Sequence, residues 1–141
     1  MNLVLSSADL HKILERVFAR GYSGENAALI TKHRMAVGFY FSSPVLNVIV
    51  DGRSDPVQVL FDPPSSVPLP DVSFSMAGQT IHRFWTGELN VVAAMTRGEV
   101  TARGNLIRAL HLFPMMPVLQ EAYREEWEVW RSSVNPLEGK L

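Results

Sequence analysis

The apolar residues change period twice along this chain, and that limits what it can fold into. Leu10, Ile13, Leu14, Val17 and Phe18 fall at i, i+3, i+4, i+7 and i+8, one stripe of a helix. Ser6, with Asp9 three residues on, fits a capping box at its start, and Gly21 sits where a helix end favours positive φ. Residues 23–30 fit no single pattern. From His33 the period is two: His33, Met35, Val37, Phe39 and Phe41 alternate with Arg34, Ala36, Gly38 and Tyr40. Residues 45–50, a turn at 51–56 and residues 57–61 continue this as an antiparallel meander.

Residues 62–70 hold four of the nine prolines, Pro63, Pro64, Pro68 and Pro70, which marks an irregular connection. Residues 71–76 alternate again, with Val72, Phe74 and Met76 on one face and Asp71, Ser73 and Ser75 on the other. Helical spacing then returns. A short helix over 78–86 stops at Gly87, another over 89–95 stops near Gly98, and a strand over 99–103 lies between two glycines. Asn105 caps a helix carrying Leu106, Ile107, Leu110 and Phe113, which Pro114 and Pro117 interrupt. Met116, Leu119, Tyr123, Trp127 and Trp130 mark a last amphipathic helix, and the end of the chain, around Asn135, Pro136 and Gly139, is expected to fray.

Composition narrows the function. Hydrophobic residues make up 47% of the 141 and charged residues only 19%, at net charge −1. Charged residues usually reach ~25%. This excludes a disordered chain and gives no electrostatic reason to expect nucleic acid. The absence of Cys removes disulfides, thiolate catalysis and zinc–thiolate sites. Residues 1–5 lack the basic start of a signal peptide. The longest uncharged stretch, 35–50, contains Gly38 and Pro44 and is short of the ~20 apolar residues of a membrane span. The expectation is a soluble, cytoplasmic chain.

Residues that carry chemistry are present but unarranged. There is no phosphate loop, no dinucleotide fingerprint and no nucleophile elbow. His11, His33, His82 and His111 are not spaced as metal ligands. Asp51, Asp55 and Asp62 sit at turns, where Asp bonds its own backbone, and the calcium-loop spacing is missing. Glu121 with Arg124 and Glu128 with Arg131 are i, i+3 pairs on what reads as a solvated helix face. A catalytic function therefore has only scattered His, Asp and Ser residues behind it. The second half instead concentrates apolar residues, with four of the six methionines at 76, 95, 115 and 116. Such a set serves either as plain core or as a surface that repacks around varied ligands.

Residues 71–110 resemble the sterol carrier protein type 2 family. The resemblance rests on the strand Asp71-Val-Ser-Phe-Ser-Met76, the Phe84-Trp85 helix ending at Gly87, the Ala-rich helix with Ala94 and Met95, and the Gly98, Val100, Gly104, Leu106 pattern. The family often has Lys where Glu99 stands, which removes a cationic contact to a ligand headgroup. The resemblance implies an α+β fold: a five-stranded, mainly antiparallel sheet covered on one face by helices, with an apolar tunnel between the layers. It implies one domain over 1–141, with a core at about 7–113, a C-terminal helical extension at 115–131 and a tail at 132–141.

By the same resemblance the protein binds a fatty acid, fatty acyl-CoA, phospholipid or sterol-like molecule, without cofactor and without catalysis. The expected tunnel lining is Phe39, Phe74, Met76, Phe84, Trp85, Leu89, Val92, Met95, Leu106, Ile107, Leu110, Phe113, Met116 and Leu119. Membrane contact, if made, is transient. Residues 115–131 cover the cavity, pack, or join two copies. In the last case, Trp127 and Trp130 make the chain an interaction module with a vestigial cavity.

Overall fold

The computed structural model describes residues 5–22 and 25–134. The expected frayed tail around Asn135, Pro136 and Gly139 lies outside them, as do residues 1–4 and the first two of the ambiguous 23–30 stretch.

Helix α1 (Ser7–Gly21) begins with the expected box: Ser6 Oγ accepts from the Asp9 amide at 3.1 Å, and the Asp9 carboxylate accepts from the Ser6 amide at 3.3 Å. Its stripe Leu10, Ile13, Leu14, Val17 and Phe18 is buried. Gly21 serves a different purpose from the one its position implied. The cap is Tyr22, at φ −107°, and a Cβ on Gly21 would lie 2.2 Å from Leu119 Cδ2. The glycine allows a close approach rather than a left-handed turn.

Residues 25–32 form a second helix, α2 (Glu25–Lys32), and Arg34 then turns the chain at φ +49°. The first strand therefore starts at Ala36 rather than His33. Strands β1 (Ala36–Ser42), β2 (Leu46–Asp51) and β3 (Gln58–Phe61) form the expected antiparallel meander. Strand β4 (Val72–Ala77) lies against β1 and runs parallel to it, and β5 (Thr101–Gly104) is antiparallel to β4, giving the order β3-β2-β1-β4-β5. The sheet is mainly antiparallel with one parallel pair.

The register aligns side chains in rows. Phe61, Val48, Phe39, Phe74 and Ala102 share one row, and Val59, Val50, Val37, Val72 and Gly104 the next. Because side chains alternate along a strand, these rows all face the helices. Phe18 of α1 packs on Phe39 and Phe61, with centroids 6.3 and 6.4 Å apart.

The opposite face is covered by the proline-rich connection. A Cβ on Gly38 would meet Pro70 Cγ at 2.9 Å. Arg53 holds the connection down by donating to the Leu69 and Pro68 carbonyls at 2.8 and 3.2 Å while pairing with Asp51. Proline lacks a donor, so a proline-rich strap offers the sheet carbonyls without requiring ladder bonds of its own. Asp71 ends the strap and joins three elements. It exchanges backbone bonds with Ala36 and Asn105, accepts from the Ala36 amide at 2.7 Å on its carboxylate, and pairs with Arg108 at 3.3 Å.

The second half continues with α3 (Gln79–Thr86), ended by Gly87 at φ +87°, and α4 (Val91–Thr96), capped by Asn90. Asn105 caps the single turn α5 (Leu106–Ala109), as expected. A 3-10 stretch, Leu110–Met115, takes in Pro114. Helix α6 (Met116–Val134) follows without a break, because Pro117 falls in its first turn, where no backbone donor is needed. Leu119, Ala122 and Tyr123 of α6 are buried in the same core as α1 and the sheet. Its acidic face is not simply solvated: Glu125 meets Arg20 at 2.6 Å, and Glu126 meets Arg20 and Arg16 at 3.4 and 3.6 Å. Arg124 donates to the Thr86 carbonyl, while the expected Glu128–Arg131 pair forms at 2.7 Å.

Candidate ligand site

Trp85 is the centre of the helix-facing layer. It is fully buried, and its ring lies 5.2 Å from Phe39, 4.9 Å from Phe84, 5.8 Å from Phe18 and 6.3 Å from Tyr123. Helix α3 carries Ile81, Phe84 and Trp85 inward on one turn, and the β1 row supplies Phe39 and Phe41 opposite. Among the described residues the buried side chains are aliphatic or aromatic, and none is charged. The Trp85 indole N–H is enclosed there with no hydrogen-bond partner. The layer therefore suits apolar surface and carries one unpaired donor.

Nine of the fourteen expected lining residues come together here. Phe39, Met76, Phe84, Trp85, Leu89 and Leu119 are buried, and Phe74, Met95 and Met116 pack partly buried against them. The other five face outward. Val92 is 75% exposed, Ile107 77%, Phe113 58%, Leu110 54% and Leu106 40%. Phe18, Phe41 and Tyr123 belong to the cluster and were not among the expected lining. The period-two register that selects Phe39 also selects Phe41. Tyr123 lies one helical turn after Leu119.

Polar chemistry sits at the margin. His82 Nδ1 and the Tyr123 hydroxyl share a hydrogen bond of 2.9 Å, and the His82 ring packs on Trp127 at 4.8 Å. Trp127 is in turn covered by the Arg131 guanidinium at 5.5 Å, and Trp130 lines a cleft against α1, so both rings are engaged within the chain. That cleft, of about 380 Å³, has Ile13, Val129 and Val134 on its walls and Lys12 and Arg16 at its rim. His33 stacks on His111 at 4.5 Å, and His11 on Phe61 at 4.0 Å.

Burial lowers the pKa of His82 below the usual 6.5, against a smaller opposing pull from Glu88. Burial likewise raises the Tyr123 hydroxyl. Below that usual value the unfolded chain binds a proton that the folded His82 resists. The stability contribution is therefore full above about pH 6.5, declines as pH falls toward the depressed value, and levels off below it. The urea midpoint is expected to drop between about pH 7.5 and about pH 5. In His82→Gln this slope should weaken; an unchanged slope would assign the dependence to other groups.

No protein-family model and no curated protein matches the sequence. Solved structures do match its fold. The sterol carrier protein domain 2 of Helicoverpa armigera is 20% identical at a TM-score of 0.59, over 79% of this chain and 87% of that one. Sterol carrier protein 2 of Yarrowia lipolytica, in its apo form, is 14% identical at 0.60, over 81% and 91%. A sec-alkylsulfatase from a Pseudomonas species matches at 17% identity and 0.50, over 63% of this chain but 14% of its own. The order of elements and the sheet are thus those of known proteins: this chain has the sterol carrier protein 2 fold.

Proposed function

We propose that the protein binds or carries an apolar, lipid-like molecule, without catalysis, between the inner face of the sheet and helices α1, α3 and α6. The ligand is a fatty acid, fatty acyl-CoA, phospholipid or sterol-like molecule. The observation that carries this reading is the aromatic and apolar layer around Trp85, in a fold shared with proteins named sterol carriers. Flexible Met76, Met95 and Met116 can move aside for a chain, since methionine is unbranched and adaptable. Apolar ligand surface gains roughly 25 cal/mol per Å² on leaving water, which brings one long acyl chain to micromolar affinity after association costs. In this reading the Trp85 N–H, enclosed without a partner, donates to an oxygen of the ligand. The protein is cytoplasmic in this reading and meets its ligand there or at a membrane surface; no helix among the described residues is long and apolar enough to cross a membrane.

A fluorescent fatty acid titrated into the folded protein should bind saturably, in the micromolar range, and be displaced by unlabelled fatty acid. Folded protein that takes up no probe would contradict the proposal.

A further inference from the structure

Residues 107–115 follow a three-residue repeat that the apolar layer does not explain. Ala109, Leu112 and Met115 face the core, Ala109 and Met115 buried and Leu112 packed against it. Ile107, Leu110 and Phe113 form a second row, and Arg108, His111 and Pro114 a third. The rows persist because Leu110–Met115 is a 3-10 helix, in which side chains three apart eclipse one another. An α-helix would fan them around its axis. The second row stands more than half exposed at every position. Three large apolar side chains in line on a convex helix are a ridge, not a groove.

Arg108 stands in the row beside the ridge, and the adjoining end of α2 carries exposed cations. His111 stacks on His33, Arg108 donates to the His33 carbonyl, and Lys32 and Arg34 flank His33 in sequence, both exposed. Burial first, and then His111, Lys32 and Arg108 beside it, disfavour protonation of His33. Asp71, the carboxylate in this neighbourhood, is paired with Arg108.

We propose that the ridge of Ile107, Leu110 and Phe113, with Lys32 and Arg34 beside it, docks the protein on an anionic lipid surface. A protruding apolar row needs a partner that deforms around it, and the acyl boundary of a bilayer does so. The cations supply the attraction to anionic headgroups that a neutral protein groove would not use. This surface is distinct from the ligand layer, and docking does not depend on a lipid being carried.

The test is flotation of the full chain with phosphatidylcholine vesicles, with or without roughly a quarter phosphatidylserine. The anionic vesicles should be bound about tenfold or more tightly than the neutral ones, less so as salt rises. L110S/F113S should weaken binding by about tenfold or more. K32E/R34E should remove the preference for phosphatidylserine while leaving fluorescent fatty acid uptake unchanged. That last readout separates failure of docking from failure of ligand binding. Equal binding to both vesicles, or full binding by either variant, overturns the proposal. So does a dimer in ultracentrifugation that L110S/F113S abolishes without any vesicle binding, which would assign the ridge to a second copy.

Discussion

Gly104→Ala should cost about 3–5 kcal/mol, a large part of the ~5–15 kcal/mol that holds a typical domain together. Gly104 ends β5 at φ +95°, a conformation that L side chains rarely adopt. Its new Cβ would lie 2.2 Å from the Asp71 carbonyl oxygen, which is backbone. Asp71 cannot retreat. Its amide is bonded to Ala36, its carbonyl accepts from Asn105, and its carboxylate is held by Ala36 and Arg108. Gly98→Ala is the control. Gly98 also has positive φ, +79°, but nothing lies within 4 Å of the added methyl. It should lose only the backbone term, about 1–2 kcal/mol. Urea unfolding of the two variants measures the difference. Equal losses would mean that the approach of Asp71 to Gly104 does not constrain the fold.

Trp85→Ala should cost about 3–5 kcal/mol, because the ring is fully buried and a cavity would open between α3, β1 and α6. Trp85→Phe should cost clearly less. It keeps an aromatic ring against Phe39 and Phe84 and removes an enclosed N–H that has no partner. If that N–H meets a ligand oxygen, Trp85→Phe should also weaken fatty acid binding while leaving most of the stability. A Trp85→Ala variant destabilised by less than about 1 kcal/mol would show that Trp85 does not anchor the layer.

How far the sequence reveals this fold depends on the range of the forces that set each feature. The capped first helix, the meander, the Gly87 stop and the Asn105 cap are decided by neighbours within a few residues, and all four are legible. The partner of β4 is not. Alternation at Val72, Phe74 and Met76 says which side chains share a face, not that the strap of prolines returns the chain to the edge of β1 for parallel pairing. Burial of Gly38 beneath Pro70 is hidden for the same reason. The bond between His82 and Tyr123 joins residues 41 apart and has no local signal.

The burial of the expected lining residues divides along similar lines. Phe39, Phe74 and Met76 are found by strand period, and Phe84 and Trp85 by the short helix before Gly87. Leu106, Ile107, Leu110 and Phe113 stand exposed: α5 is a single turn, and Leu110–Met115 winds at three residues per turn rather than 3.6. At that period the residues turned inward are Ala109, Leu112 and Met115. Residue type cannot distinguish an apolar side chain in the core from one on an exposed ridge. The pitch of the helix decides it.

The most direct test of an apolar interior that takes a lipid-like guest is native mass spectrometry of protein purified without detergent, followed by solvent extraction. The account predicts a population heavier than the bare chain by one lipid mass, with that lipid recovered in the extract and the bare mass restored. Bare protein alone, folded and still refusing added fatty acid, would contradict it.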